Sequence, residues 1–121
     1  MAGQTPDLRP GIVHVLRLLS SPEMQLDYER RVPGISIPSE LLCHWFDDSY
    51  LPESAAFRQS FSPQELESLA VFNTYFDGQE KILPDPSNGI RSWLEDKTWI
   101  GIMREATRTL AVLDPEPRIS E

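Results

Sequence analysis

The sequence predicts an all-α protein, a compact bundle of about five or six helices with short, proline-marked connections. Three observations carry this expectation. Apolar residues recur at three- and four-residue steps along most of the chain. The eleven prolines, at 6, 10, 22, 33, 38, 52, 63, 84, 86, 115 and 117, fall between those periodic runs, as befits a residue tolerated at a helix start and excluded from its interior. Ser or Asp also stands just before several runs, where an N-cap belongs. Nothing in the chain requires a sheet.

The elements follow in order. In "GIVHVLRLLS" the apolar positions 12, 15, 16 and 19 fit a helix, although Val13 and Val15 also alternate as in a strand. A lone strand would have no partner, so helix is expected. Ser21-Pro22 is an N-cap and first position for "PEMQLDYERRV", which Pro33-Gly34 closes. Pro38 can open a third helix whose stripe is Leu41, Leu42, Trp45 and Phe46, ending near Ser49 or Tyr50 ahead of Pro52. "ESAAFRQSF" reads as a short turn.

The clearest helix start is "FSPQEL" at residues 61–66. Ser62 caps, Pro63 takes the first helical position, Glu65 completes a capping box, and Phe61 and Leu66 have the spacing of a hydrophobic staple. Gly78 is the expected stop. "GQEKILPDPSNG" is a loop by composition. Ser87 or Asn88 can cap a short helix, "GIRSWLED", and Asp96 a longer one from Lys97 to about Leu113, with Trp99, Ile102, Met103, Ala106, Leu110 and Leu113 on one face.

A chain of 121 residues suits one domain, residues 1–121, with loose tails at about 1–9 and 115–121. No run of about 18 apolar residues occurs, so no membrane association is expected. The N-terminus lacks the pattern of a signal peptide. Cys43 is the single cysteine, so an intrachain disulfide is impossible and a cytoplasmic location is expected.

The net charge of −8 is unevenly spread. Residues 1–33 hold four basic and four acidic side chains, whereas residues 40–85 hold nine acids against Arg58 and Lys81. Such a field repels phosphate backbones, which argues against nucleic-acid binding, and it steers a basic protein toward the chain.

Catalysis is not expected. His14 and His44 are the only imidazoles. Cys43 and His44, adjacent on a helix, point about 100° apart, and Cys43 is expected to be a small buried hydrophobe. No CxxC, HExxH, EF-hand loop or phosphate loop is present, so neither a metal nor a cofactor is expected. "HWFDDSYLPE" gathers His44, Asp47, Asp48 and Glu53, read here as solvated surface rather than ligands.

Interaction remains. The candidate partner-binding residues are Trp45, Asp47, Asp48, Tyr50, Leu51, Glu53 and Phe57, aromatic and apolar anchors among acids at a proline-marked bend. The competing reading places these aromatics in the core.

"FSPQELESLAVFNTYFD", followed by "IRSWLEDKTWIGIMREATRTLAVL", resembles small, mostly uncharacterised bacterial α-helical proteins in which a capped "F-[ST]-P-x-E-L" helix precedes a "W…A…L" helix. The resemblance covers about residues 57–113. In type and charge the chain is also similar to immunity or antitoxin proteins, which neutralise a basic toxin. The function this implies is a small acidic protein-binding module, an immunity-type inhibitor of a basic partner. The alternatives are an enzyme or small-ligand binder using His14, Cys43 or His44, and a structural module whose aromatic bend forms a homodimer.

Overall fold

Capping side chains start most of the helices, and apolar stripes decide how they pack. The structure, a computed structural model, describes residues 7–114. Within that span lie seven α-helices and no β-strand: α1 (Arg9–Ser20), α2 (Pro22–Arg31), α3 (Ile37–Cys43), α4 (Ala55–Gln59), α5 (Pro63–Glu80), α6 (Ile90–Leu94) and α7 (Lys97–Leu113). A π-helical turn, His44–Ser49, continues α3, and a 3₁₀ turn, Pro86–Asn88, precedes α6. The all-α expectation holds, with five helices of seven residues or more and two short ones. None of the described helices is long and apolar enough to cross a membrane.

The caps work as their residue types predict. Ser21, Ser36, Ser54 and Ser62 each accept a backbone N–H three residues on, and Asp96 accepts from Thr98 and Trp99. The capping box closes in both directions, Glu65 N to Ser62 Oγ at 3.2 Å and Ser62 N to Glu65 Oε1 at 2.9 Å. Each such cap contributes about 1 kcal/mol.

Helix α7 lies along both α1 and α5, while α2 joins α1 to α6. Ile12, Leu16 and Leu19 of α1 and Trp99, Ile102 and Ala106 of α7 are buried between them. A chain of touching rings runs through the core, Trp93–Trp99–Phe76–Phe72–Trp45–Tyr50–Phe57–Phe61, with neighbouring centroids 4.9 to 6.1 Å apart. Pairs of this kind contribute about 0.5–1.5 kcal/mol beyond the area they bury. Each indole N–H finds an acceptor: Trp45 on Asn73 Oδ1, Trp93 on Pro84 O, and Trp99 on Gln25 Oε1. Gln25, itself fully buried, donates its amide to the carbonyls of Leu18 and Leu19 at the end of α1.

Four expectations are corrected. Gly78 does not stop α5, which runs to Glu80; one interior glycine costs only about 1 kcal/mol, less than packing supplies. The segment read as a turn contains α4, whose side-chain cap is Ser54. Ser87 and Asn88 do not cap α6; Gly89 does, at φ +89°, and Ile90 N donates to Glu29 Oε2 from α2. Leu8 and Arg9, expected within a loose tail, are held in place. Leu8 N donates to Ser60 Oγ at 2.9 Å, and the Arg9 guanidinium clamps Glu65 at 2.7 and 2.5 Å and the Leu113 carbonyl at 2.6 Å. The remainder of the expected tails, residues 1–6 and 115–121, lies outside the described residues.

Candidate functional site

Pro52 prevents the π-helical turn from running on, so the chain bends through residues 50–54 before α4 begins. The bend is fixed by its own bonds. Ser54 N donates to Leu51 O at 3.0 Å, and Arg58 Nη1 donates to Pro52 O at 3.0 Å. Half-buried Tyr50 stacks on Trp45, with centroids 5.1 Å apart and ring planes 7° from parallel, and meets Phe57 edge-on at 5.5 Å. Burial pushes the Tyr50 phenol above its ordinary pKa.

Two expected anchors therefore do not face a partner. Trp45 and Phe57 are fully buried. Trp45 lies one helical turn beyond buried Leu41 and shares its inward stripe. Phe57 is turned inward by α4, where a loop was expected to leave it exposed. Both rings support Tyr50 from beneath.

Leu51 is the apolar side chain that the bend presents, at 39% exposure. It borders two shallow depressions. One, of about 400 Å³, is shaped by the five residues from Tyr50 to Ser54 and carries the exposed Glu53. The other, of about 250 Å³, has the start of α1 on one side and Asp48 with Leu51 on the other, over buried Ile12. Exposed Asp7 and Asp48 stand at its rim. Among the described residues no Lys or Arg lines either depression, and the charged groups of their lining, Asp7, Asp48 and Glu53, surround apolar surface from Leu51, Pro52 and Leu8.

Sequence reasoning missed Asp7, which it placed in a loose tail. The available signal was "DLRP": Pro10 fixes a helix start, and an Asp three residues earlier can bond the first turn. Its Oδ1 accepts from Arg9 N at 3.1 Å.

Asp47 belongs elsewhere. It lines neither depression and lies beside Cys43. The thiol is exposed, not buried as expected, because residue 43 falls on the outer face of α3 while Leu41 and Trp45 take the inner one. Loss of solvent on its protein-facing side raises the Cys43 pKa most, and Asp47, Glu40 and Asp48 raise it further. The thiol is thereby held in its protonated, weakly nucleophilic form.

His44 turns from its sequence neighbour to Tyr28, whose hydroxyl lies 3.0 Å from Nε2, and its Nδ1 is 4.0 Å from Asp48 Oδ2. Among the described residues, no hydrogen bond joins Cys43 to either histidine. No group of three or more His, Cys, Asp or Glu side chains there is placed to hold a metal ion.

No protein-family model matches the chain, and neither the curated proteins nor the solved structures yield a match.

Proposed function

We propose that this chain is a small acidic protein-binding module of the cytoplasm that docks a basic partner protein at the Leu51 bend and performs no catalysis. The observation that carries the reading is the exposure of Leu51 between two depressions whose charged lining, among the described residues, is acidic: Asp7, Asp48 and Glu53. A Lys or Arg side chain of the partner enters the depression between Asp7 and Asp48. An apolar partner group covers Leu51 and the outer part of Tyr50. The immunity-type form of this reading rests on the small size and the acidic charge alone.

The two kinds of contact have separate roles. An exposed ion pair is worth only about 0.2–1 kcal/mol, so the carboxylates act chiefly on the association rate and on the choice of partner. Their reach is about 10 Å at 0.1 M salt. Leu51, desolvated in the complex, sets the dissociation rate. The same carboxylates disfavour nucleic acid, and in a two-fold dimer through this bend they would face their own copies.

The test is affinity capture from a lysate of the native host at low and at high salt. The baits are the wild-type chain, Leu51→Ser, and a triple variant Asp7→Asn, Asp48→Asn, Glu53→Gln. A basic protein held by the wild type at low salt, shed at high salt and lost with both variants supports the reading. A partner retained equally by all three baits, or none retained by the wild type, refutes it. A homodimer in light scattering that Leu51→Ser dissociates would replace it with self-association.

A further inference from the structure

A further concavity lies apart from the two depressions at the Leu51 bend. It is a cleft of about 340 Å³ whose lining comes from α1, α2, Val32 and the π-helical turn. Its floor is apolar, formed by buried Leu18 with half-buried Met24 and Val32. Its rim carries His14, Tyr28 and His44. Ligand clefts typically measure about 300–1,000 Å³ and combine an apolar lining with a few convergent polar groups. The wide turn that carries His44 is itself a rare winding, often retained at functional positions.

The charges around this cleft narrow what it can hold. Asp27 and Arg31 are the oppositely charged residues of its lining, and they are spent on each other. Arg31 Nε donates to Asp27 Oδ2 at 2.8 Å, and Arg30 Nη2 donates to Oδ1 at 2.9 Å. The Arg31 hydrogen bond, followed by that of Arg30, keeps the Asp27 carboxyl below its usual range. An ionic ligand would have to compete with Arg30 and Arg31 for Asp27, or with Asp27 for Arg31, since each charged side chain of the lining already has a partner. The groups that remain are His14 and the Tyr28–His44 pair, whose members already bond each other at 3.0 Å and offer a ligand only the capacity left over. Burial, reinforced by Glu40, keeps the Tyr28 phenol un-ionised. The Met24 thioether and the Tyr28 ring are surfaces that suit an aromatic face.

We propose that this cleft binds an uncharged heteroaromatic molecule. Its flat ring lies on Leu18, Met24 and Val32, and a ring nitrogen or N–H bonds to His14 or to the Tyr28–His44 pair. The site is independent of the partner surface and does not require that reading to hold.

Indole serves as the probe, titrated into the full chain and followed through backbone amide shifts in 15N–1H NMR spectra. Indole-3-acetate and tryptamine are the anionic and cationic controls. Saturable shifts are expected at residues 14, 18, 24, 28, 32 and 44, with either charged analogue at least about tenfold weaker, the equivalent of about 1.4 kcal/mol. Val32→Phe, which fills the cleft, should abolish the shifts. His14→Ala, at an exposed position, should weaken binding with the rest of the spectrum unchanged, and it stands as the test should Val32→Phe fail to fold. Absence of saturable shifts at these residues overturns the proposal. So does a charged analogue binding as tightly as indole, or a folded variant of either kind binding indole as the wild type does.

Discussion

Replacing Glu65 with Gln removes one negative charge while nearly preserving side-chain shape, and the effect on stability follows from the clamp it breaks. The carboxylate accepts Arg9 Nη1 at 2.7 Å, Arg9 Nη2 at 2.5 Å and Ser62 N at 2.9 Å, and Arg9 also reaches Leu113 O. One ion pair thereby ties the starts of α1 and α5 to the end of α7. The Arg9 hydrogen bonds are the largest cause holding Glu65 at about 2 rather than 4.5. At about 1.4 kcal/mol per unit that shift corresponds to some 3 kcal/mol. The Arg9 side chain is 34% exposed against 15% for Glu65, so solvent screening reduces the expected contribution to about 1–2 kcal/mol.

Because the folded state favours the charged form, this stabilisation is complete above the unfolded pKa near 4.5 and is lost as pH falls through about 2. Urea unfolding, followed by tryptophan fluorescence from pH 7 down to pH 3, measures it. The difference between wild type and Glu65→Gln should be about 1–2 kcal/mol at pH 7, or about 4–8 °C in Tm, and should narrow steadily below pH 4.5. Comparing the two proteins removes the titration of the other carboxyls. A difference that does not change with pH, or that is absent at pH 7, refutes the clamp.

Three further outcomes are expected. Gln25→Leu leaves the Trp99 indole N–H and two α1 carbonyls without their buried partner, and should cost about 3 kcal/mol in the same unfolding assay; a loss under 1 kcal/mol would contradict the bridge. Gly89→Ala places a side chain at φ +89°, ψ 165° and should cost about 1–3 kcal/mol, although its Cβ would have ordinary clearance from Glu29 Oε2; unchanged stability would mean the backbone relaxes there. Cys43 should react with iodoacetamide at neutral pH more slowly than a free model thiol, and Asp47→Asn should quicken it; equal rates would show that Asp47 does not restrain the thiol.

Most of the fold was legible because its starts are written in short-range chemistry. Ser62, Ser21 and Asp96 cap where their spacing to Pro63, Pro22 and the Trp99 stripe predicts. The misread positions depend on partners distant in sequence. The start of α6 is completed by Glu29 from α2, and Arg9 is ordered by Glu65 and Leu113. Gly78 ends nothing because α5 continues past it.

The candidate site was legible in part. Residues 48, 50, 51 and 53 do meet at the bend, since they are close along the chain. Phe57 was misplaced because its direction depends on α4, whose five residues are too few to show a period. Trp45 belongs to the inward stripe of Leu41, and its place beside Asp47 and Asp48 also fitted a surface anchor. Asp7 joins Asp48 only through the packing of α1 against the π-helical turn.

Association kinetics with the captured partner test docking at the Leu51 bend most directly. Association should slow as salt rises from 50 to about 500 mM, where charge screening becomes short-ranged, and substituting Asp7, Asp48 and Glu53 together should remove most of that salt dependence. Leu51→Ser should instead hasten dissociation. Rates indifferent to salt and unchanged in both variants would contradict the account and remove the bend as the docking surface.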